Sequence, residues 1–157
     1  MDCRKDLIQC IEEYRDGILE IYQVTSPAAM KAAKKLGLFK KRSFDEYIES
    51  FQSHRETARA LDVDAIELPE DDEESRSVVY LFKKSIESFC LLCDLSVEFY
   101  QLAERKQYKD SGVTVEQYTK ALGRMQQVLM KSLEDINALG QAYEEYHTED
   151  HTDDLTD

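Results

Sequence analysis

The stretch over residues 75–107 most constrains the fold, because it has no Gly or Pro and carries two apolar rows at helical spacing. The first row contains Val79, Phe82, Ile86, Phe89, Cys93, Tyr100 and Ala103. The second row contains Leu81, Leu92, Leu95, Phe99 and Leu102. Adjacent rows make a wide apolar surface that suits a helix with more than one neighbour. The pattern predicts one unbroken helix, about 50 Å long at 1.5 Å per residue, as the central rod of a helical bundle.

Residues 3–24 and 27–36 predict two helices before this rod. The first carries an apolar face with spacings of four and three: Leu7, Ile11, Tyr14, Ile18 and Ile21. Gly17 falls within it and costs stability unless a neighbour approaches closely there. Ser26 followed by Pro27 predicts the start of a short helix, since Ser caps helices and Pro is tolerated at the first helical position. Gly37 predicts its end.

Two capping boxes predict where later helices begin. Ser43 is followed three residues later by Glu46, and Thr114 by Gln117, which is the pattern of reciprocal N-terminal capping. The buried row after the first box is Phe44, Tyr47, Ile48, Phe51, Ala58 and Leu61. The row after the second is Tyr118, Leu122, Met125, Leu129, Ile136, Leu139, Tyr143 and Tyr146. Residues 62–74 predict a loop anchored by Val63, Ile66 and Leu68.

Together these segments predict an all-α fold, an antiparallel helical bundle of four main helices plus one short helix, with two long C-terminal helices. We expect residues 1–147 to form a single helical-bundle domain. Residues 148–157 are acidic and lack apolar periodicity, so they are expected to form a flexible tail. Because the last two helices are longer than the others, their distal ends are expected to project.

The charge balance narrows the classes of partner. The chain has 157 residues and a net charge of −13, and a field of that sign repels nucleic-acid phosphates. Residues 31–42 are a basic exception that suits an acidic partner, or else form a solvated helix face. No apolar run is long enough to span a membrane, although peripheral membrane contact stays open. The polar N-terminus and the placement of four Cys on apolar helical positions favour a reducing, cytoplasmic location.

The predicted function is a non-enzymatic helical protein–protein interaction module, either an adaptor or scaffold or a self-associating, coiled-coil-like bundle. A projecting apolar hairpin must bury its surface against a protein partner or a second copy. The predicted contact residues are Phe99, Tyr100, Leu102, Tyr118, Lys34, Lys35, Lys40, Lys41 and Arg42. No catalytic residue, metal ligand or cofactor is predicted, because the chain contains no phosphate loop or nucleophile motif.

Three patterns suggest chemistry but have simpler explanations. Cys90 and Cys93 have the spacing of a redox or metal pair, yet they lie mid-helix among apolar residues, where thiols are commonly part of the core. Glu144 and His147 match half of a di-iron motif whose second half is missing. His54 is a candidate phosphoacceptor on a helical bundle, although the sequence around it lacks the adjacent acid and proline of sensor-kinase histidine boxes.

Residues 6–69 resemble the C-terminal helical part of ANTH-type clathrin-assembly domains. The resembling segments read Tyr14-Arg15-Asp16-Gly17-Ile18-Leu19, Ala29-Met30-Lys31-Ala32, Leu61-Asp62-Val63 and Leu68-Pro69. The resemblance implies a membrane-trafficking adaptor with protein-binding helices. The lysine cluster that binds lipids in that family belongs to an N-terminal superhelix, so it is not carried over to any residue here.

Overall fold

The computed structural model describes residues 3–25, 41–107 and 112–156, and all regular structure in these ranges is helical. Helix α1 spans Cys3–Thr25, α2 spans Lys41–Arg59, α3 spans Glu73–Gln107 and α4 spans Val115–Thr156, with a 3-10 turn at Val63–Ala65. The all-α prediction is confirmed, as are the two long C-terminal helices. The short helix predicted over 27–36 lies outside the described residues.

Helix α3 is the centre of the molecule. Every member of its two predicted apolar rows is buried or half-buried, and Phe82, Phe89, Leu92 and Cys93 have no exposed surface. The helix begins two residues before the predicted start. Its N-cap is Asp72, whose carboxylate accepts a hydrogen bond of 3.1 Å from the backbone N–H of Ser75. An acidic side chain at this position offsets the positive end of the helix dipole.

Helices α3 and α4 run antiparallel along most of their length. At one end the rings of Phe99 and Tyr118 lie 5.3 Å apart. At the other end the hydroxyls of Ser75 and Tyr146 lie 2.6 Å apart. Because early residues of one helix meet late residues of the other, these two helices form a hairpin that carries the core.

Helices α1 and α2 cover different halves of α3. Arg4 of α1 contacts Asp72 at 3.2 Å, and Tyr14 further along α1 contacts Ser85 at 2.8 Å, so α1 runs parallel to α3. Helix α2 runs antiparallel to α3, since its Arg55 contacts Asp94 and its earlier aromatic residues contact Tyr100. Successive described helices therefore alternate in direction, with α1 on the first half of α3 and α2 on the second.

The second capping box is confirmed in both directions. The hydroxyl of Thr114 accepts from the backbone N–H of Gln117 at 3.1 Å, and the side chain of Gln117 accepts from the backbone N–H of Thr114 at 3.0 Å. The first box is displaced, because α2 begins at Lys41 and Ser43 lies inside its first turn. Lys and Arg are strong helix formers and extend the helix backwards.

The C-terminal end differs from the expected tail. Helix α4 continues to Thr156, so the backbone of 148–156 is helical even though the sequence there has no apolar periodicity. The mobility expected of this segment stays a prediction. Further back in the chain, the predicted loop is confirmed: Val63 is buried in the 3-10 turn, and Ile66 and Leu68 are half-buried.

Buried serines interrupt the apolar core of α3. Ser75, Ser85 and Ser96 have no exposed surface. The hydroxyl of Ser75 contacts Tyr146 and the carboxylate of Asp72, and that of Ser85 contacts Tyr14. Among the described residues, the hydroxyl of Ser96 has no hydrogen-bond partner. The core therefore contains hydroxyl groups at these three positions along α3, and the hydroxyl of Ser96 is buried without a hydrogen bond among the described residues.

Candidate functional site

The predicted contact residues at the distal end of α3 are largely interior. Phe99 is 2% exposed and Tyr100 is 1% exposed. Their rings contact each other at 5.4 Å, and burial raises the pKa of the Tyr100 phenol. These two residues pack the bundle and present no surface to a partner in this structure.

Helix α2 is the reason for this burial. The rings of Tyr47 and Phe51 stack against Tyr100 at 5.3 Å and 5.6 Å, and Phe44 meets it edge-on at 6.4 Å. Aromatic pairs at these distances add to the stabilisation from buried area. The aromatic row of α2 covers α3 as far as Tyr100. Phe99 and Tyr100 therefore do not belong to a projecting end, and for residues 101–107 the expected projection stays a prediction.

The remaining predicted contact residues are divided. Leu102 and Tyr118 are half-buried, and the ammonium of Lys106 lies 4.3 Å from the centre of the Tyr118 ring. Lys34, Lys35 and Lys40 lie outside the described residues. Lys41 and Arg42 form the first turn of α2, and only their backbone is described.

A shallow open depression lies beside Leu102. It has a volume of about 490 Å³ and is lined by Glu98, Gln101, Leu102, Glu104 and Arg105. All five residues belong to the last turns of α3. The depression therefore continues along the face of α3 that points away from the core.

That outward face carries the most exposed apolar side chains of α3. Tyr80 is 65% exposed and Leu91 is 49% exposed. Tyr80, Leu91 and Leu102 are each eleven residues apart, which is close to three helical turns, so they lie nearly in line over about 33 Å. We call this face the outer stripe and define it as Tyr80, Lys84, Glu87, Leu91, Leu95, Glu98 and Leu102.

Charged side chains of both signs flank the apolar members of the outer stripe. Lys84 lies 3.7 Å from Asp135, and Glu98 lies 3.9 Å from Arg124, so each makes a long ion pair with α4. The side chains of Lys84 and Glu98 remain 45% and 51% exposed. The pair of Glu98 with Arg124 is exposed on both sides and therefore weak. The carboxylate of Asp135 is only 7% exposed, so Lys84 also compensates a buried charge on α4.

Sequence reasoning missed the outer stripe. The sequence patterns predict no role for Tyr80 or Leu91. The signal that could have found the stripe is the eleven-residue interval between Tyr80, Leu91 and Leu102. Such an interval repeats a helical position after three turns, whereas the core rows follow intervals of three and four.

The chemically suggestive side chains are embedded in the bundle. Cys90 and Cys93 have no exposed surface. Burial raises the pKa of both thiols, that of Cys93 to about 12, so they are protonated and unreactive near neutral pH. No group of three or more His, Cys, Asp or Glu side chains suited to a metal ion occurs in the part of the chain that the structure describes.

His54 lies half-buried on α2. Its Nδ1 is 2.8 Å from the backbone carbonyl of Ser50. A carbonyl oxygen can only accept, so Nδ1 carries the hydrogen in this contact, and in the neutral form of the ring the lone pair then lies on Nε2. This is the tautomer that a nucleophilic Nε2 requires.

Comparisons with protein-family models, curated proteins and solved structures found no match to this chain. Within residues 3–25, 41–107 and 112–156, none of the helices has the length and apolar character needed to cross a membrane.

Proposed function

We propose that this chain is a non-enzymatic protein–protein interaction module and that the outer stripe of α3 is its docking surface. The observation that supports this is the alignment of Tyr80, Leu91 and Leu102 on the outward face of the central helix. Single exposed apolar residues are ordinary, but a row of them bordered by charge is typical of a surface that binds a helix.

Helix α3 is well suited to present such a surface. Its opposite face is fixed by the buried rings of Phe82, Phe89 and Phe99, and neighbouring elements pack against it on either side. A docking row on a rigid element loses little conformational freedom when it binds. The thiols that might suggest redox chemistry point into the same core and serve packing.

Site-specific photo-cross-linking tests this role. A photoreactive amino acid replaces Leu91 in one variant and Met130 in a matched control, because Met130 is 60% exposed on α4 but lies outside the outer stripe. We expect a discrete adduct from position 91 that is absent from position 130 and lost when Tyr80→Glu is added. The protein found in that adduct, once purified, should bind the wild-type chain and not Leu91→Glu. Identical adducts from both positions, or none from position 91, would contradict the proposal.

The resemblance to ANTH-type domains supports a trafficking adaptor as a variant of this role, with its docking surface on α1 and α2 rather than α3. Substitutions on α1 and on α3 distinguish which of the two surfaces binds. Binding to a purified partner that survives Leu91→Glu but is lost on substitution of exposed Gln9 on α1 would favour the trafficking adaptor.

A second candidate function is histidine phosphorylation at Nε2 of His54. It is favoured by the hydrogen bond that holds Nδ1 against Ser50. Incubation with a phosphodonor should give an acid-labile adduct in the wild-type protein and none in His54→Gln. Equal labelling of the two proteins would exclude it.

A further inference from the structure

We infer that the partner of the outer stripe is a second copy of this chain, bound antiparallel about a two-fold axis through Leu91. The inference rests on the proposed function and specifies which protein binds the outer stripe. It comes from the charges of the stripe, because Lys84 and Glu98 lie at equal intervals on either side of Leu91 and exchange places when the stripe is reversed.

The register follows from the spacing. If Leu91 faces Leu91 of the second copy, residues at equal intervals on either side come level. Tyr80 then faces Leu102 of the second copy, and Lys84 faces Glu98 of the second copy. The two-fold axis repeats each contact, so the interface contains two Tyr–Leu contacts, two Lys–Glu pairs and two contacts of Glu87 with Leu95 around one central Leu–Leu contact.

Charge complementarity selects this register over the parallel alternative. A parallel pairing would place Lys84 against Lys84 and Glu98 against Glu98, and like charges in contact disfavour association. The antiparallel register also brings Glu87 level with Leu95 of the second copy and one residue away from Asp94, which has the same sign of charge. Arg55 lies 2.6 Å from Asp94 and offsets that repulsion.

Packing geometry allows the approach. The exposed members of the stripe face away from the core, whereas Leu95 and Leu102 are half-buried and pack against the core at one edge of the stripe. Facing helices approach to about 8–10 Å between axes when the contact side chains interlock. A single helix pair falls at the small end of specific interfaces, below roughly 1,200 Å². With a net charge of −13 on each copy, we expect dissociation constants of roughly micromolar order or weaker, measured at about 0.15 M salt so that long-range repulsion is screened.

Light scattering after size-exclusion chromatography, over a range of concentrations, tests the inference. The wild-type chain should approach twice its monomer mass of 18.3 kDa as concentration rises. Leu91→Glu should weaken the association by roughly a hundredfold or more, because both copies lose a buried Leu. Met130→Glu should leave it unchanged. A wild-type mass that stays at one chain, or equal behaviour of the two variants, would overturn the inference.

A charge exchange tests the register itself. Lys84→Glu and Glu98→Lys should each be monomeric alone, and an equimolar mixture of the two should form a heterodimer, because every facing pair is then of opposite sign. Thermal melting of each variant separates this effect from the loss of the ion pairs with Asp135 and Arg124. A mixture that stays monomeric would overturn the register. If the wild-type chain is monomeric while position 91 cross-links to a different protein, self-pairing is wrong and the interaction module stands.

Discussion

The uncompensated hydroxyl of Ser96 gives the sharpest test of the interior. Ser96 and Ser85 both lie in the middle of α3 and have no exposed surface. Ser85 contacts the hydroxyl of Tyr14 at 2.8 Å, whereas Ser96 has no hydrogen-bond partner among the described residues. Replacing each by Ala makes the same chemical change in two different environments, so the two variants should differ in the sign of their effect.

The magnitudes follow from two contributions. Ala is preferred over Ser in a helix interior by roughly 0.5 kcal/mol, and this gain is common to both variants. A buried hydroxyl without a partner costs about 1 kcal/mol or more, so Ser96→Ala should raise the free energy of unfolding by about 1.5 kcal/mol. Ser85→Ala makes the same propensity gain but loses the hydrogen bond with Tyr14, worth about 1 kcal/mol, so it should lower the free energy of unfolding by about 0.5 kcal/mol. The difference, about 2 kcal/mol, is independent of helix propensity because that gain cancels.

Urea unfolding of both variants at neutral pH, followed by circular dichroism, measures this difference. In a chain of this size each kcal/mol shifts the melting temperature by about 2–4 °C, so Ser96→Ala should melt about 3–6 °C above the wild type. Tyr14→Phe combined with Ser85→Ala gives the matching control, since the effects of two partners in one hydrogen bond are not additive. A neutral or destabilising Ser96→Ala would mean that the hydroxyl is compensated and would refute the reasoning.

Three further perturbations have defined outcomes. Thr114→Ala should lower the free energy of unfolding by about 1 kcal/mol, because the N–H of Gln117 loses its acceptor. Urea titration measures this change, and an unchanged free energy of unfolding would contradict the prediction. Gly17→Ala should raise the free energy of unfolding by roughly 0.5–1 kcal/mol, since a Cβ there meets no atom of the described residues within 4 Å. A lower melting temperature would contradict this. Burial raises the pKa of Cys93 from its ordinary 9.0 to about 12, so the unfolded thiol ionises first and stability should fall as pH rises from about 9 to 12. Urea titrations across that range should show a shallower fall for Cys93→Ala, and identical pH profiles would disprove the assignment.

The sequence predicted elements whose information is local. Residues 75–107 carry their own periodicity, and the box from Thr114 to Gln117 contains both partners of a reciprocal cap, so both were found from sequence. The sequence does not single out Asp72 as the N-cap, because which of the acids over 70–74 caps α3 depends on where the backbone enters the helix. Ser43 shows the converse, since a capping motif can be overridden by helix-forming residues before it.

The candidate site was the harder part, because exposure depends on which helix covers which. The rings of Phe99 and Tyr100 look like an interface in the sequence of α3 alone. They become part of the core because the aromatic row of α2 lies at the same level of the bundle. The spacing of residues in the sequence does not show how α2 and α3 are positioned along each other. Gly17 illustrates the same limit, because only the packed structure shows whether a neighbour approaches it.

The placement of α2 has a consequence for where binding can occur. With α1 on the first half of α3, α2 on the second, and α4 along both, the inward arc of the rod is occupied at every level. The outward face of α3 is therefore the part of this helix that is available for binding. Along this face the apolar residues recur every eleven positions rather than every seven. A surface with that interval suits a straight helix approaching at a shallow angle. A second copy of α3 has the same interval by definition, and reversing its direction converts the like charges at Lys84 and Glu98 into opposite ones.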